Sequence, residues 1–93
     1  MAHPSHAEYV EWDEGNEDEL RRHGISVAEA GEVLDAPLAW ARNKRHRPGD
    51  YKVMGRTAGG RAVSLVVRYD EARRAVRPIT GWDATTGELS RYF

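Results

Sequence analysis

The chain contains no cysteine, which excludes a disulfide framework and any thiolate metal site and makes it compatible with a reducing compartment. It also lacks any apolar run near the roughly 18 residues of a membrane span. Its opening stretch, MAHPSHAEYV, has no apolar core of the kind a secretory signal carries. A soluble, cytoplasmic protein with no membrane partner is the expectation. Missing too are a Ser/His/Asp order, an H-E-x-x-H spacing and a glycine-rich phosphate loop. The stretch Gly55 to Arg61 (GRTAGGR) reads as a turn, because no helix follows it. His3 and His6 have no third ligand beside them. These absences argue against metal-dependent and nucleotide hydrolysis, and neither a cofactor nor a metal is expected. Aromatic residues make up only 9% of the chain, so the three tryptophans, Trp12, Trp40 and Trp82, carry weight in any stacking argument.

What is present points to one domain. Ninety-three residues with 40% hydrophobic content support a single modest core. Residues 1–7, which hold Pro4 and show no periodicity, are expected to form a flexible tail, and residues 8–93 the domain. The net charge of −1 hides an asymmetry. Met1 to Asp35 carries two basic and ten acidic residues, whereas Ala36 to Phe93 carries twelve basic and five acidic. Such a chain can turn a cationic face to phosphates, although packing of an acidic half on a basic half would also neutralise both.

The acidic half reads as helical. Tyr9 to Trp12 predicts a short strand, and Asp13 supplies a side-chain acceptor for a helix over Glu14 to His23. That helix has acidic residues in its first turns and Arg21, Arg22 and His23 in its last, the order that complements the helix dipole. Gly24 supplies the left-handed terminating position. Ser26 and Glu29 then form an S-x-x-E capping box, with Ile25 placed to staple onto Ala30. A second helix starts at Val27, carries Val27, Ala30, Val33 and Leu34 on one face, and stops near Asp35 before Pro37.

The basic half reads as strands. Pro37 to Arg42 and Tyr51 to Thr57 flank a basic loop, Asn43 to Asp50, and Ala58-Gly59-Gly60 turns the chain into the next strand. Between Arg61 and Tyr69, Val63, Leu65, Val67 and Tyr69 recur at period two, with Ser64 and Arg68 opposite them, which predicts a half-buried strand. A short polar connection, Asp70 to Arg74, favours a hairpin to Val76 to Trp82, where Pro78 fits awkwardly. A T-x-x-E box at Thr85 and Glu88 opens a terminal helix. The expected architecture is α+β, ordered β-α-α-β-β-β-β-α, an antiparallel sheet with a two-helix hairpin on one face. The partner of the first strand stays open.

The chemistry left to such a chain lies on a cationic sheet with aromatics among the charges: Arg42, Lys44, Arg45, Arg47, Lys52, Arg56, Arg68 and Arg77, with Trp40, Tyr51 and Trp82. Cations neutralise phosphates and aromatic rings stack on unpaired bases, the combination that single-stranded RNA binding requires. Lys44, Arg45, Arg47, Arg68 and Trp82 are the candidate RNA-binding residues. RNA carries its own nucleophile, so Arg, Lys and His suffice to move protons and stabilise the phosphorane without metal. Each tryptophan also has a packing role open to it, and His23 a role as the cation at its helix terminus. A non-catalytic module that binds RNA or a protein through the same sheet is the alternative.

The ordered combination Glu11-Trp12-Asp13, Asn16, His23-Gly24-Ile25-Ser26, Glu29-Ala30, Val33-Leu34-Asp35 and Pro37-Leu38-Ala39 resembles the BrnT family of bacterial toxins. So do Gly55-Arg56-Thr57, Gly60-Arg61, the apolar strand Ala62 to Val67, and Arg77 to Thr80 followed by an acidic residue and a terminal aromatic. The resemblance implies a RelE-like fold, a metal-independent endoribonuclease that arrests translation, and a small ribbon-helix-helix, DNA-binding antitoxin as partner. Carried onto this chain, it offers His23, Arg56 and Arg77 as catalytic candidates. Lys52 joins them on its chemistry alone. The chain departs from the family at Gly81-Trp82-Asp83, where a basic residue is usual, and in its basic rather than acidic loop over Asn43 to Asp50.

Overall fold

A computed structural model describes residues 3–44 and 49–93. The elements are β1 (Tyr9–Val10), α1 (Glu14–Arg22), α2 (Val27–Asp35), β2 (Ala39–Arg42), β3 (Tyr51–Arg56), β4 (Ala62–Asp70), β5 (Ala75–Asp83) and α3 (Thr86–Tyr92). They build a small α+β domain around one open five-stranded sheet, ordered β1-β5-β4-β3-β2. The strands β2 to β5 form the expected antiparallel meander. The sheet as a whole is mixed rather than antiparallel, because β1 pairs with β5 in parallel. The meander leaves the outer edge of β5 unpaired, and β1 satisfies part of it: Glu8 N donates to Arg74 O and Glu11 N to Val76 O. Within residues 1–7, Pro4–His6 form a 3-10 turn with Pro4 buried and the His3 side chain accepting from Ser5 N.

All three helices start on capping boxes. In α2, Glu29 N donates to Ser26 Oγ at 3.0 Å and Ser26 N to Glu29 Oε1 at 3.1 Å. Ile25 and Ala30, the expected staple, both lie in the core. His23 is the C-terminal cap of α1, and Gly24 has φ of 73°.

The core gathers Leu20, Ile25, Ala30 and Val33 from the helical layer against Val53, Val63, Leu65, Val67 and Val76 of the sheet. Close approach at its centre depends on Gly81. A Cβ there would stand 2.7 Å from Leu65 Cδ2 and 2.9 Å from the Ser64 carbonyl oxygen. Pro78 sits beside an irregularity in the β4–β5 ladder, where Val66 pairs with Thr80 but Val67 pairs with Pro78. The bulge absorbs the missing N–H donor. The freed Pro78 carbonyl accepts from the buried Asn16 Nδ2 at 3.0 Å, tying α1 to β5.

The expectation that β4 is half-buried is corrected. Ser64 is fully buried and Val66 nearly so, on the face opposite Leu65. Two elements cover that second face. α3 reaches Ser64 through Glu88, and Gly49 lies so close to Val66 that a Cβ would meet it at 2.4 Å.

Candidate nucleic-acid interface

Strand alternation and register decide which side chains share a surface. In β3, Val53 and Gly55 face the helical layer; a Cβ on Gly55 would lie 3.1 Å from Val33 of α2. Lys52 and Arg56 therefore point to the other face. Lys52 pairs with Val66, Ser64 with Trp82, and Arg68 with Arg77. Hence Lys52, Arg56, Arg68, Arg77 and Trp82, five of the residues singled out from sequence, share the face away from α1 and α2. α3 lies on this same face, so it is a partly covered surface rather than an open platform.

The covered part centres on Glu88. Its carboxylate accepts from Ser64 Oγ (2.8 Å), Trp82 Nε1 (3.1 Å), Lys52 Nζ (3.0 Å) and its own capping partner, Thr85 N (2.9 Å). Burial alone would raise the pKa of this carboxyl group. The hydrogen bonds from Thr85, Lys52, Ser64 and Trp82 outweigh it and bring the value down to about 2. Lys52 also lies 5.9 Å from the Trp82 ring centroid. Two candidates, Lys52 and Trp82, are thus brought together, but as donors to an internal anion. The T-x-x-E spacing marks Glu88 as a capping residue; nothing in it shows that the same carboxylate reaches three residues of the sheet.

Arg77 stands at the β5 edge, where β1 ends and α1 begins. Its Nη1 lies 2.7 Å from Asp13 and 3.7 Å from Glu11. The Asp13 hydrogen bond holds the guanidinium pKa above its ordinary value and, reciprocally, the Asp13 carboxyl below its own. Further along the edge, Glu19 of α1 accepts from Thr80 Oγ1 at 2.9 Å and faces His23 Nε2 at 3.1 Å. The Thr80 hydrogen bond is the main cause of a lowered Glu19 pKa. Held this way, His23 leaves Nδ1 free to meet a ligand. Lys52, Val66 and Thr80 form one row across three strands. Lys52 is therefore about 10 Å from Thr80 at strand spacing, too far for it and His23 to serve one phosphate.

Arg56 is separate again, donating to Gly60 O at 2.9 Å and lying over the Phe93 ring at 5.4 Å. Arg68 and Lys44 are exposed and have no ion-pair partner among the described residues. Lys44 borders an open cavity with Arg42, Asp50 and Tyr69. Arg45 and Arg47 lie outside the described residues. The predicted catalytic set accordingly divides into four: Arg77 beside Asp13 at the start of α1, His23 beside Glu19 at its end, Lys52 beneath α3, and Arg56 at the far end of β3. Trp12 and Trp40 are partly buried against the core, consistent with packing. Arg61, not singled out from sequence for a site role, clamps three segments. It donates to Gly24 O at 2.7 Å and pairs with Asp83 at 2.6 Å and Glu29 at 3.3 Å.

No protein-family model matches the chain, and no curated protein matches it.

Proposed function

We propose that the chain is a BrnT-like, metal-independent endoribonuclease with a RelE-like fold, a toxin that cleaves RNA to inhibit translation. The observation that supports this most is the pairing of Arg68 directly opposite Arg77 on the face that also carries Lys52, Arg56 and Trp82. Asp13 and Glu11 already neutralise Arg77, whereas Arg68 directly opposite it has no ion-pair partner among the described residues and is the guanidinium open to an anionic ligand. In this reading Arg68 and Arg77 bind a backbone phosphate neighbouring the scissile one, which lies toward His23 at the other end of α1. His23 removes the proton from the 2′-oxygen through Nδ1 as that oxygen attacks phosphorus. The P–O5′ bond breaks, the 5′-oxygen takes a proton from solvent water and leaves as an alcohol, His23 returns its proton to the resulting hydroxide, and a 2′,3′-cyclic phosphate remains. Lys52 and Arg56 contribute charge rather than protons. The same reading implies a small ribbon-helix-helix antitoxin as partner, encoded beside the toxin.

A second reading, a non-catalytic RNA-binding module on the same face, is favoured by one observation: Lys52, Arg77 and His23 each already face a carboxylate. Incubating single-stranded RNA with the wild-type protein and with His23→Ala, in excess EDTA, separates the two. The proposal expects cleavage by the wild type and a loss of about 10²-fold or more in the variant, the usual scale of acid–base catalysis. RNA binding without cleavage by either protein would establish the second reading.

A further inference from the structure

α3 is attached to the sheet in an unusual way. Its one buried residue is Glu88, and no residue of α3 belongs to the hydrophobic core cluster. Leu89, its aliphatic residue, is exposed. A seven-residue helix is far below the length at which helices hold together unaided, so its stability rests on what it docks against. What it docks against is a set of donors: the Lys52 ammonium, the Ser64 hydroxyl and the Trp82 indole N–H, all within 3.1 Å of one carboxylate. The capping box needs only the Thr85 N–H, so helix capping does not account for the three sheet donors. At the other end of the helix, Phe93 lies against Arg56, a second cation of the same face.

Together these contacts make α3 an internal occupant of the cationic surface. We propose that Lys52 Nζ, Ser64 Oγ and Trp82 Nε1 form an anion receptor for a phosphate of single-stranded RNA, with Glu88 of α3 as the built-in competitor that RNA displaces. A phosphate presents the same acceptor oxygens to those donors, and Lys52 retains a counter-charge after the exchange. Trp82, released from Glu88, is free to stack on a neighbouring base. Phe93 leaves Arg56 as the helix shifts, so one movement uncovers both cations. This inference rests on the reading of the sheet face as an RNA-binding surface.

The test follows the indole N–H resonance of Trp82 by ¹H–¹⁵N NMR in the full chain, during titration with oligouridylate and, separately, with inorganic phosphate. Oligouridylate should shift that resonance in the wild type. Glu88→Gln keeps the capping-box geometry but removes the competing charge, and it should bind oligouridylate about tenfold tighter, the scale of one charge-assisted hydrogen bond. Lys52→Gln should bind it more weakly, a second variant that decides the matter if Glu88→Gln does not fold. Oligouridylate binding that leaves the Trp82 indole unmoved and is equal in wild type and Glu88→Gln would overturn the receptor while leaving the RNA-binding reading standing. A shift with inorganic phosphate alone would overturn RNA as the ligand, and no binding of oligouridylate to any form would overturn both readings.

Discussion

Arg68 and Arg77 face each other as directly opposed residues of the β4–β5 ladder, and of the two only Arg77 has carboxylate partners among the described residues, Asp13 and Glu11. The fold neutralises one guanidinium and leaves the other to solvent. That asymmetry separates what the pair costs in stability from what it offers a ligand.

Replacing Arg68 with Thr should therefore move stability and binding in opposite directions. Removing the like-charge pair is expected to stabilise the domain by a few tenths to about 1 kcal/mol in urea unfolding. The same variant should bind single-stranded RNA more weakly and lower its log–log salt slope by about 0.7, the loss of one phosphate contact. A destabilised variant with unchanged salt dependence would show that Arg68 serves packing only.

Glu88 predicts an acid transition. Its folded-state pKa of about 2 lies below the ordinary 4.5. The stability it contributes is therefore fully present above about pH 4.5 and is lost as pH falls toward 2. For a carboxylate this well buried the total is about 3 kcal/mol. Asp13, Glu19, Glu29 and Asp83 are also held below their ordinary values, but they are more exposed and contribute less. Urea midpoints measured from pH 7 to pH 2 should fall steeply below pH 4.5 in the wild type and less steeply in Glu88→Gln. Parallel curves would contradict the buried-carboxylate account.

The helical layer makes a ranked prediction. Ser26→Ala removes one side of the α2 capping box and should cost about 1 kcal/mol. Val33→Ala opens space in a fully buried site between α2 and the sheet and should cost more, about 1–3 kcal/mol. Glu17→Ala, in the first turns of α1, should change stability by no more than about 0.5 kcal/mol. Urea unfolding of the three variants checks the order, and a neutral Val33→Ala would contradict the packing.

Local signals in the sequence carried much of this fold. The Ser26/Glu29 and Thr85/Glu88 boxes, Gly24 as terminator and the Val63/Leu65/Val67 alternation all act between residues close in the chain, and each appears as expected. What escaped depends on contacts between distant residues. The parallel pairing of two-residue β1 with β5 spans 66 positions from Tyr9 to Ala75, and no periodicity fits in so short a strand. Ser64 and Val66 read as an open face because the residues that bury them, Glu88 and Gly49, lie far away in sequence. The site behaved similarly. Alternation within strands pairs Lys52 with Arg56 in β3 and fixes the face of Arg68 in β4, but Arg77 and Trp82 are five residues apart in β5 and reach one surface only through the bulge opposite Val66 and Val67, which alternation does not foretell. The carboxylates that engage Lys52, Arg77 and His23 depend on how α1 and α3 pack, which spacing alone does not encode.

The central claim, that this surface cleaves RNA by using the substrate's own 2′-hydroxyl, is tested most directly with a single-stranded RNA and its counterpart carrying one 2′-deoxyribose at the scissile position, both in excess EDTA. The account predicts cleavage of the first to a 2′,3′-cyclic or 3′-phosphate end, and binding without cleavage of the second. Cleavage of the deoxy-substituted strand at that position, or a product with a free 3′-hydroxyl, would contradict it.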